Sequence, residues 1–287
     1  MIFALGTAQF SNNYGILKKK ISTKKIFDFV NNDSTIKLID TAPAYSNSEK
    51  IIGKFLKRDI KITTKINPFI FSSTEKNLDK LKKDFDLSLK NLKKKTLYGL
   101  LFHKTEDIIF KNNDKIFYYL EELIKNNILK KIGFSTYTLE GINKYLDYFD
   151  FRIIQLPINI FNLDENYKKK LQILKKKYNL EIHARSVFLQ GLGLMNEINN
   201  SKFYKLNQKL KYINKIADTL KISKHDILLS GITKNKFIDN IIIGCSSSDE
   251  LELLSKFKEK KKIKSYLHKF VIKDKFINDP RKWPKNL

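Results

Sequence analysis

Eight short apolar runs, each trailed by a longer stretch with helical hydrophobic spacing, predict a parallel (β/α)8 TIM barrel, read as a single domain over residues 1–287. Two further observations support that fold class. No G-x-G-x-x-G follows the first apolar run, so a doubly wound open sheet, the runner-up, lacks support. No Pro/Gly/Ser-rich linker, low-complexity tail or repeat divides the chain, and its 42% hydrophobic content suffices for one large core.

Taken in order, the strands are expected at IFALG (2–6), KLID (37–40), DIKITTK (59–65), LYGLLFH (97–103), LKKIGFS (129–135), RIIQLP (152–157), LEIHARS (180–186) and NIIIG (240–244). The helices fall between them, near 22–32, 47–57, 75–92, 114–126, 138–147, 164–177, 203–219 and 247–257. An extra helix is expected over 225–235 and a last one over 261–269.

The net charge of +26 invites a nucleic-acid partner. Of the 56 basic residues, however, only Arg58, Arg152, Arg185 and Arg281 are arginine. The lysines are scattered over helical segments rich in Asn and Ile. A nucleic-acid groove favours Arg with stacked aromatics, so the lysines read as solvated helix faces and no nucleic-acid partner is expected. Cys245 is the one cysteine, which rules out an intrachain disulfide and fits a reducing compartment. The N-terminus lacks a basic stretch leading into a long apolar one, and no run reaches about 18 apolar residues. No membrane partner and a cytoplasmic location are expected.

The stretch LIDTAPAYSNSEKIIG (38–53) ends an apolar strand in a carboxylate, Asp40, with Tyr45 close behind. In a barrel of this kind functional residues sit at the C-terminal ends of strands. Asp40 ends the second strand, Lys65 the third and His103 the fourth. Alternation aims residues 61, 63 and 65 to one face, and Gly99, Leu101 and His103 to another single face. Three neighbouring strands thus direct an acid, a lysine and an imidazole at one mouth, beside a phenol. A free phenol titrates near 10 and is a poor acid at neutral pH. A nearby ammonium favours the phenolate, a carboxylate holds that ammonium, and a histidine can orient a carbonyl oxygen. Together they form a proton donor for an oxygen that turns negative when a hydride reaches its carbon. No metal-ligand cluster is seen, so the hydride is expected from an organic cofactor. Singly, each residue has a plainer role: a cap, a surface ring, a solvated lysine, a core histidine. Ser46 and Glu49 read S-x-x-E, a capping box for the next helix.

DTAPAYSNSEKIIG resembles the D-T-A-x-x-Y-G-x-S-E signature of the aldo-keto reductases, and the likeness runs from LGTAQF to IIIGCSSSDELELL. The resemblance implies Tyr45 as the acid with Asp40, Lys65 and His103 completing a tetrad. It also implies NAD(P)H-dependent reduction of an aldehyde or ketone, and a sugar-derived carbonyl is preferred as substrate. Ser46 stands where the family usually has Gly. GFSTYT is similar to the family's G-V-S-N, which assigns Ser135 and Thr136 to the nicotinamide carboxamide together with Gln155. ARSVFLQGLG sits where A-Y-S-P-L-G-x-G is common. Arg185 thereby takes the place of a ring stacked on the nicotinamide, and Ser186, Phe188 and Gly191 approach the pyrophosphate. Gly6 and Thr7 would lie under the cofactor, with Asp40 at its edge. In GCSSSDELELL, Gly244, Ser246, Ser247 and Glu250 fall at the adenosine ribose. Glu250 stands where an Arg often binds a 2′-phosphate, so NADH is expected to serve as well as NADPH or better. Ser247 and Glu250 also read as a second capping box. The family's N-terminal hairpin and long C-terminal loop are expected to be missing, leaving an open pocket. Two alternatives remain: a Schiff-base lyase using Lys65, and a non-catalytic cofactor-binding protein.

Overall fold

The computed structural model describes residues 2–10 and 21–284. Residues 11–20, which include the second part of LGTAQFSNNYGI, lie outside the described residues. Eight parallel strands close a barrel in chain order: β1 (Ile2–Gly6), β2 (Ile36–Asp40), β3 (Lys61–Ile66), β4 (Leu97–Phe102), β5 (Leu129–Ser135), β6 (Ile153–Pro157), β7 (Glu181–Arg185) and β8 (Asn240–Gly244). The helices are α1 (Thr23–Asn32), α2 (Ser48–Phe55), α3 (Thr74–Leu92), α4 (Asp114–Lys125), α5 (Asn143–Leu146), α6 (Glu165–Tyr178), α7 (Tyr204–Leu220), α8 (Lys224–Thr233) and α9 (Ser248–Ser255). No helix among the described residues is long and apolar enough to cross a membrane.

The strands read as continuous apolar runs because both faces are covered. Outward residues such as Leu100, Phe102, Ile132 and Phe134 pack under the helices in the main core, while Ala4, Leu38 and Ile242 fill the barrel itself. Two strands approach closely where Gly133 lies: a Cβ there would sit 2.3 Å from the Ile153 carbonyl oxygen. Parallel register then sets the upper rim. Gly6 pairs with Asp40 and with Gly244, Ser135 with Gln155, and Pro157 with Arg185. One layer of strand ends therefore carries most of the expected site.

Two helix expectations are corrected. Over 138–147 only four residues are helical, because Gly141 takes φ +65° and Thr136 turns back on Thr138. Lys261–Lys269 winds as a 3-10 helix, a form in which Ile263 and Tyr266, three apart, share a face. Beyond residue 269, Phe270, Ile272, Ile277 and Trp283 are buried, which returns the chain to the barrel's upper face and sets Arg281 against Tyr137.

Candidate active site

Asp40 and Lys65 are almost wholly buried, and the Lys65 ammonium donates to Asp40 Oδ2 at 2.8 Å and to the Thr41 carbonyl at 2.9 Å. The other Asp40 oxygen accepts from Thr63 Oγ1 at 3.1 Å and from Gln155 Nε2 at 2.7 Å. A buried ion pair of this kind holds only when its remaining lone pairs are satisfied, and here they are. Burial pulls the Lys65 pKa down, but the charges of Asp40 and then Tyr45 outweigh it, and the net shift is upward. The lysine stays an ammonium.

That ammonium lies 5.0 Å from the centre of the Tyr45 ring. Tyr45 meets His103 edge to face, with ring centroids 6.1 Å apart. His103 follows the last residue of β4 and is brought down to about 4, first by burial and then by Lys65. At neutral pH it is a neutral imidazole with one N–H to donate. All four sequence-expected residues are thus brought together at the mouth.

The Tyr45 loop is held by local chemistry. Ser46 takes φ +54°, the left-handed region that Gly enters without a Cβ clash. Ser48 Oγ lies 2.7 Å from the Tyr45 carbonyl and 3.0 Å from that of Thr7. The expected Ser46–Glu49 capping box does not form. Asn47 is the N-cap and makes no side-chain cap bond. The left-handed turn carries Ser46 out of the capping position, and Glu49 points inward to accept from Thr64 Oγ1 at 2.7 Å. Burial raises its pKa.

A cavity of about 400 Å³ opens beside Tyr45. Asp40, Gln155, Gly6 and Gly244 line it, as do Arg185, Ser186, Phe188, Gly191, Ser246 and Glu250. A Cβ on Gly244 would come within 2.8 Å of Gln9 Oε1, and one on Gly6 within 2.9 Å of Ile242. After β7 the backbone is left-handed at Ser186, Leu189, Gln190 and Gly191. Each non-glycine there costs roughly 1–2 kcal/mol, a concentration of strain beside the cavity.

Several expected residues stand off the wall. Thr7 is fully buried and props Asp40, with both its N–H and hydroxyl donating to the Asp40 carbonyl. Ser135 and Thr136 are buried at the end of β5, and Thr136 Oγ1 donates to the Thr138 carbonyl. Lys65 and His103 lie behind and beside Tyr45. Gln155 is on the wall, but its amide N–H is turned to Asp40. Ser247 caps α9, accepting from the Glu250 N–H at 3.4 Å, while Glu250 Oε2 accepts from the Ser246 N–H at 2.8 Å. The second capping box therefore exists, displaced by one residue, and Glu250 serves it.

Other cavity residues escaped sequence reasoning: Gln9, Gln190, Leu194, His225 and Leu253. Gln9 lies two residues past Thr7 in a segment already singled out, so its position was a usable signal. Its Oε1 is buried with no protein donor. His225 stacks on Phe188 with centroids 4.8 Å apart. Nothing in the sequence around α8 marks it.

The protein family model described as the Aldo/keto reductase family matches residues 3–266. No curated protein sequence matches the chain. Among solved structures, an aldo-keto reductase from Bacillus halodurans in its holo form is 18% identical, with a TM-score of 0.72 over 93% of this chain and 91% of that one. A glycerol dehydrogenase from Gluconobacter oxydans is 19% identical, with a TM-score of 0.70 over 93% of this chain and 90% of that one. At these identities the neighbours speak for the fold. The family model, spanning nearly the whole length, establishes that the chain belongs to the aldo/keto reductase family.

Proposed function

We propose that the protein reduces an aldehyde or ketone to an alcohol with a reduced nicotinamide cofactor, Tyr45 being the general acid. The observation that carries this reading is the order of contacts Asp40–Lys65–Tyr45. The carboxylate grips the ammonium from below, so the charge that reaches the phenol is positive. That charge stabilises the phenolate left when Tyr45 gives its proton to the developing alkoxide. Neutral His103, edge-on to the same ring, donates to the carbonyl oxygen and orients it.

The cavity residues fit a nicotinamide dinucleotide. Gly6 and Gly244 leave a floor that a Cβ would fill, Gln9 Oε1 is an acceptor in need of a donor, and the left-handed loop after β7 contributes Ser186, Gln190 and Gly191 to the wall. When bound, the cofactor supplies the hydride. Ser186, Phe188 and Gly191 would hold it along one wall, which Arg185 shares, and Ser246 and Glu250 at the far end. Ser135 and Thr136, off the wall, support β5 beneath it. Glu250 brings a carboxylate to the ribose end, which favours a diol over a 2′-phosphate, and its bond to Ser246 lessens that effect. NADH is therefore read as binding at least as well as NADPH. The buried thiol of Cys245 fits a reducing compartment such as the cytoplasm.

Substituting Tyr45→Phe tests the acid. Reduction of a carbonyl panel should fall about 10²- to 10⁴-fold, while cofactor affinity stays within about threefold. Parental rates in that variant would remove Tyr45 from the mechanism. Titrating both reduced cofactors against the apo protein tests the preference. NADPH binding more than about tenfold tighter, a gap near 1.4 kcal/mol, would reverse it.

A further inference from the structure

Arg185, half-buried at the end of β7, shares the cavity wall with Tyr45. Its guanidinium lies 4.1 Å from the centre of the Tyr137 ring, and that of Arg281 lies 3.8 Å from the same centre. Both guanidiniums thus pack against the same ring. Arg281 is tied to Asp279 by two bonds, from Nε at 2.9 Å and from Nη2 at 2.8 Å. Its charge is answered, and its part in the stack is to hold Tyr137. Arg185 differs. Among the described residues no carboxylate forms an ion pair with it. Its two hydrogen bonds are long, to the Thr136 carbonyl at 3.3 Å and to Ser186 Oγ at 3.5 Å. A guanidinium has five N–H donors in a rigid fork suited to carboxylate and phosphate.

Which side of the cavity it serves follows from its contacts. Thr136 and Tyr137 belong to the end of β5, so the guanidinium leans away from the β8 wall of Gly244, Ser246 and Glu250. It also lies near enough to His103 for its charge to act there, alongside those of Lys65 and Lys104. His103 and Tyr45 are the groups that would flank a substrate carbonyl.

We propose that Arg185, braced by Tyr137 and Arg281, recognises a carboxylate or phosphate on the substrate, so that the preferred carbonyl compounds are acidic. The inference rests on the reductase reading. Paired substrates test it at saturating reduced cofactor: succinic semialdehyde against butanal, and glyceraldehyde 3-phosphate against glyceraldehyde. The charged member should have a kcat/KM at least about tenfold higher, and Arg185→Gln should shrink that ratio by about 10- to 100-fold, with Arg185→Lys restoring part of it. Equal rates for both members, or a ratio untouched by Arg185→Gln, would overturn the proposal. So would a variant that loses cofactor affinity while keeping the ratio, since the guanidinium would then serve the cofactor's phosphates. A calorimetric titration with succinate gives a second readout. The parent should bind it at least about tenfold more tightly than a variant with unaltered circular dichroism, and equal binding counts against the proposal. If no carbonyl compound is reduced, the reductase reading fails, and succinate binding alone decides whether Arg185 holds an anion.

Discussion

The barrel carries the same four side-chain types at both ends. At the upper rim stand Asp40, Lys65, Tyr45 and His103. At the lower end stand Glu181, Lys131, Tyr98 and His183. In the lower set, Tyr98 OH donates to Glu181 Oε1 at 2.5 Å, and Lys131 reaches the same oxygen. His183 Nε2 lies 3.2 Å from Glu181 Oε2 and 2.8 Å from Asn240 Nδ2, and the ring is fully buried. The composition matches, but the wiring is reversed. Below, the phenol faces the carboxylate directly. Burial, and then that hydrogen bond, raises the Tyr98 pKa, so the proton is locked in place. Above, the lysine stands between carboxylate and phenol. The lower pocket, lined by Lys131, Arg152 and Glu181 among others, reaches neither Tyr98 nor His183. The two phenols differ in which charged neighbour stands next to the ring and in whether a cavity opens beside it.

Removing each phenol is the sharpest way to break this comparison. Tyr45→Phe is expected to cost the 10²- to 10⁴-fold of a lost general acid. Tyr98→Phe should leave turnover within about twofold and cost about 1 kcal/mol of stability through one lost hydrogen bond. Comparable losses of turnover in both would mean the two clusters are not functionally distinct.

The lysines come next. Lys65→Met leaves Asp40 charged and buried, and urea unfolding should show a loss of about 3–5 kcal/mol. Lys131 has a side chain 30% exposed, and Glu181 keeps Tyr98 and His183 as partners when it is removed. Lys131→Met should therefore cost about 1 kcal/mol. An equal loss for both would contradict the unequal burial on which the comparison depends.

The upper cluster was legible in the sequence and the lower one was not. Asp40, Lys65 and His103 stand at strand ends, where alternation and the barrel rule aim them together, and Tyr45 follows within a recognisable signature. Tyr98, Lys131, Glu181 and His183 lie within β4, β5 and β7, toward the end with no functional expectation, and their meeting depends on those three strands closing in register. The fold was readable for the same reason that β5 or β8 was: short apolar runs between amphipathic stretches. Side-chain choices between competing partners were not. Glu49 prefers the buried Thr64 hydroxyl to its own helix cap, and Gln155 turns to Asp40. Arg185 was assigned from its place in a motif, whereas its stack on Tyr137 joins residues far apart in the chain. The return of Arg281 to that ring required the folded C-terminal segment.

Acid titration distinguishes the two ends a last way. His103 titrates at about 4 in the folded chain against 6.5 unperturbed, with burial the main cause and the Lys65 charge next. Between those values the unfolded chain binds a proton that the folded one refuses, so stability falls as pH drops from 6.5 to 4 and this contribution then levels off. The full effect is at most about 3.4 kcal/mol at 1.36 kcal/mol per unit. Glu181 behaves differently. Burial would raise its carboxyl, but hydrogen bonds from His183, Lys131 and Tyr98 outweigh it and hold it at about 2 against 4.5. Its stabilisation is complete above 4.5 and is lost as pH falls from there to 2. Urea unfolding of the parent across pH 7 to 3 should therefore decline in two stages. His103→Gln should flatten the upper stage and leave the lower, and Glu181→Gln should do the reverse. A single decline below 4.5, unchanged by His103→Gln, would show that His103 accepts a proton in the folded state as readily as in the unfolded one. The neutral imidazole assigned to the upper rim would then have to be abandoned.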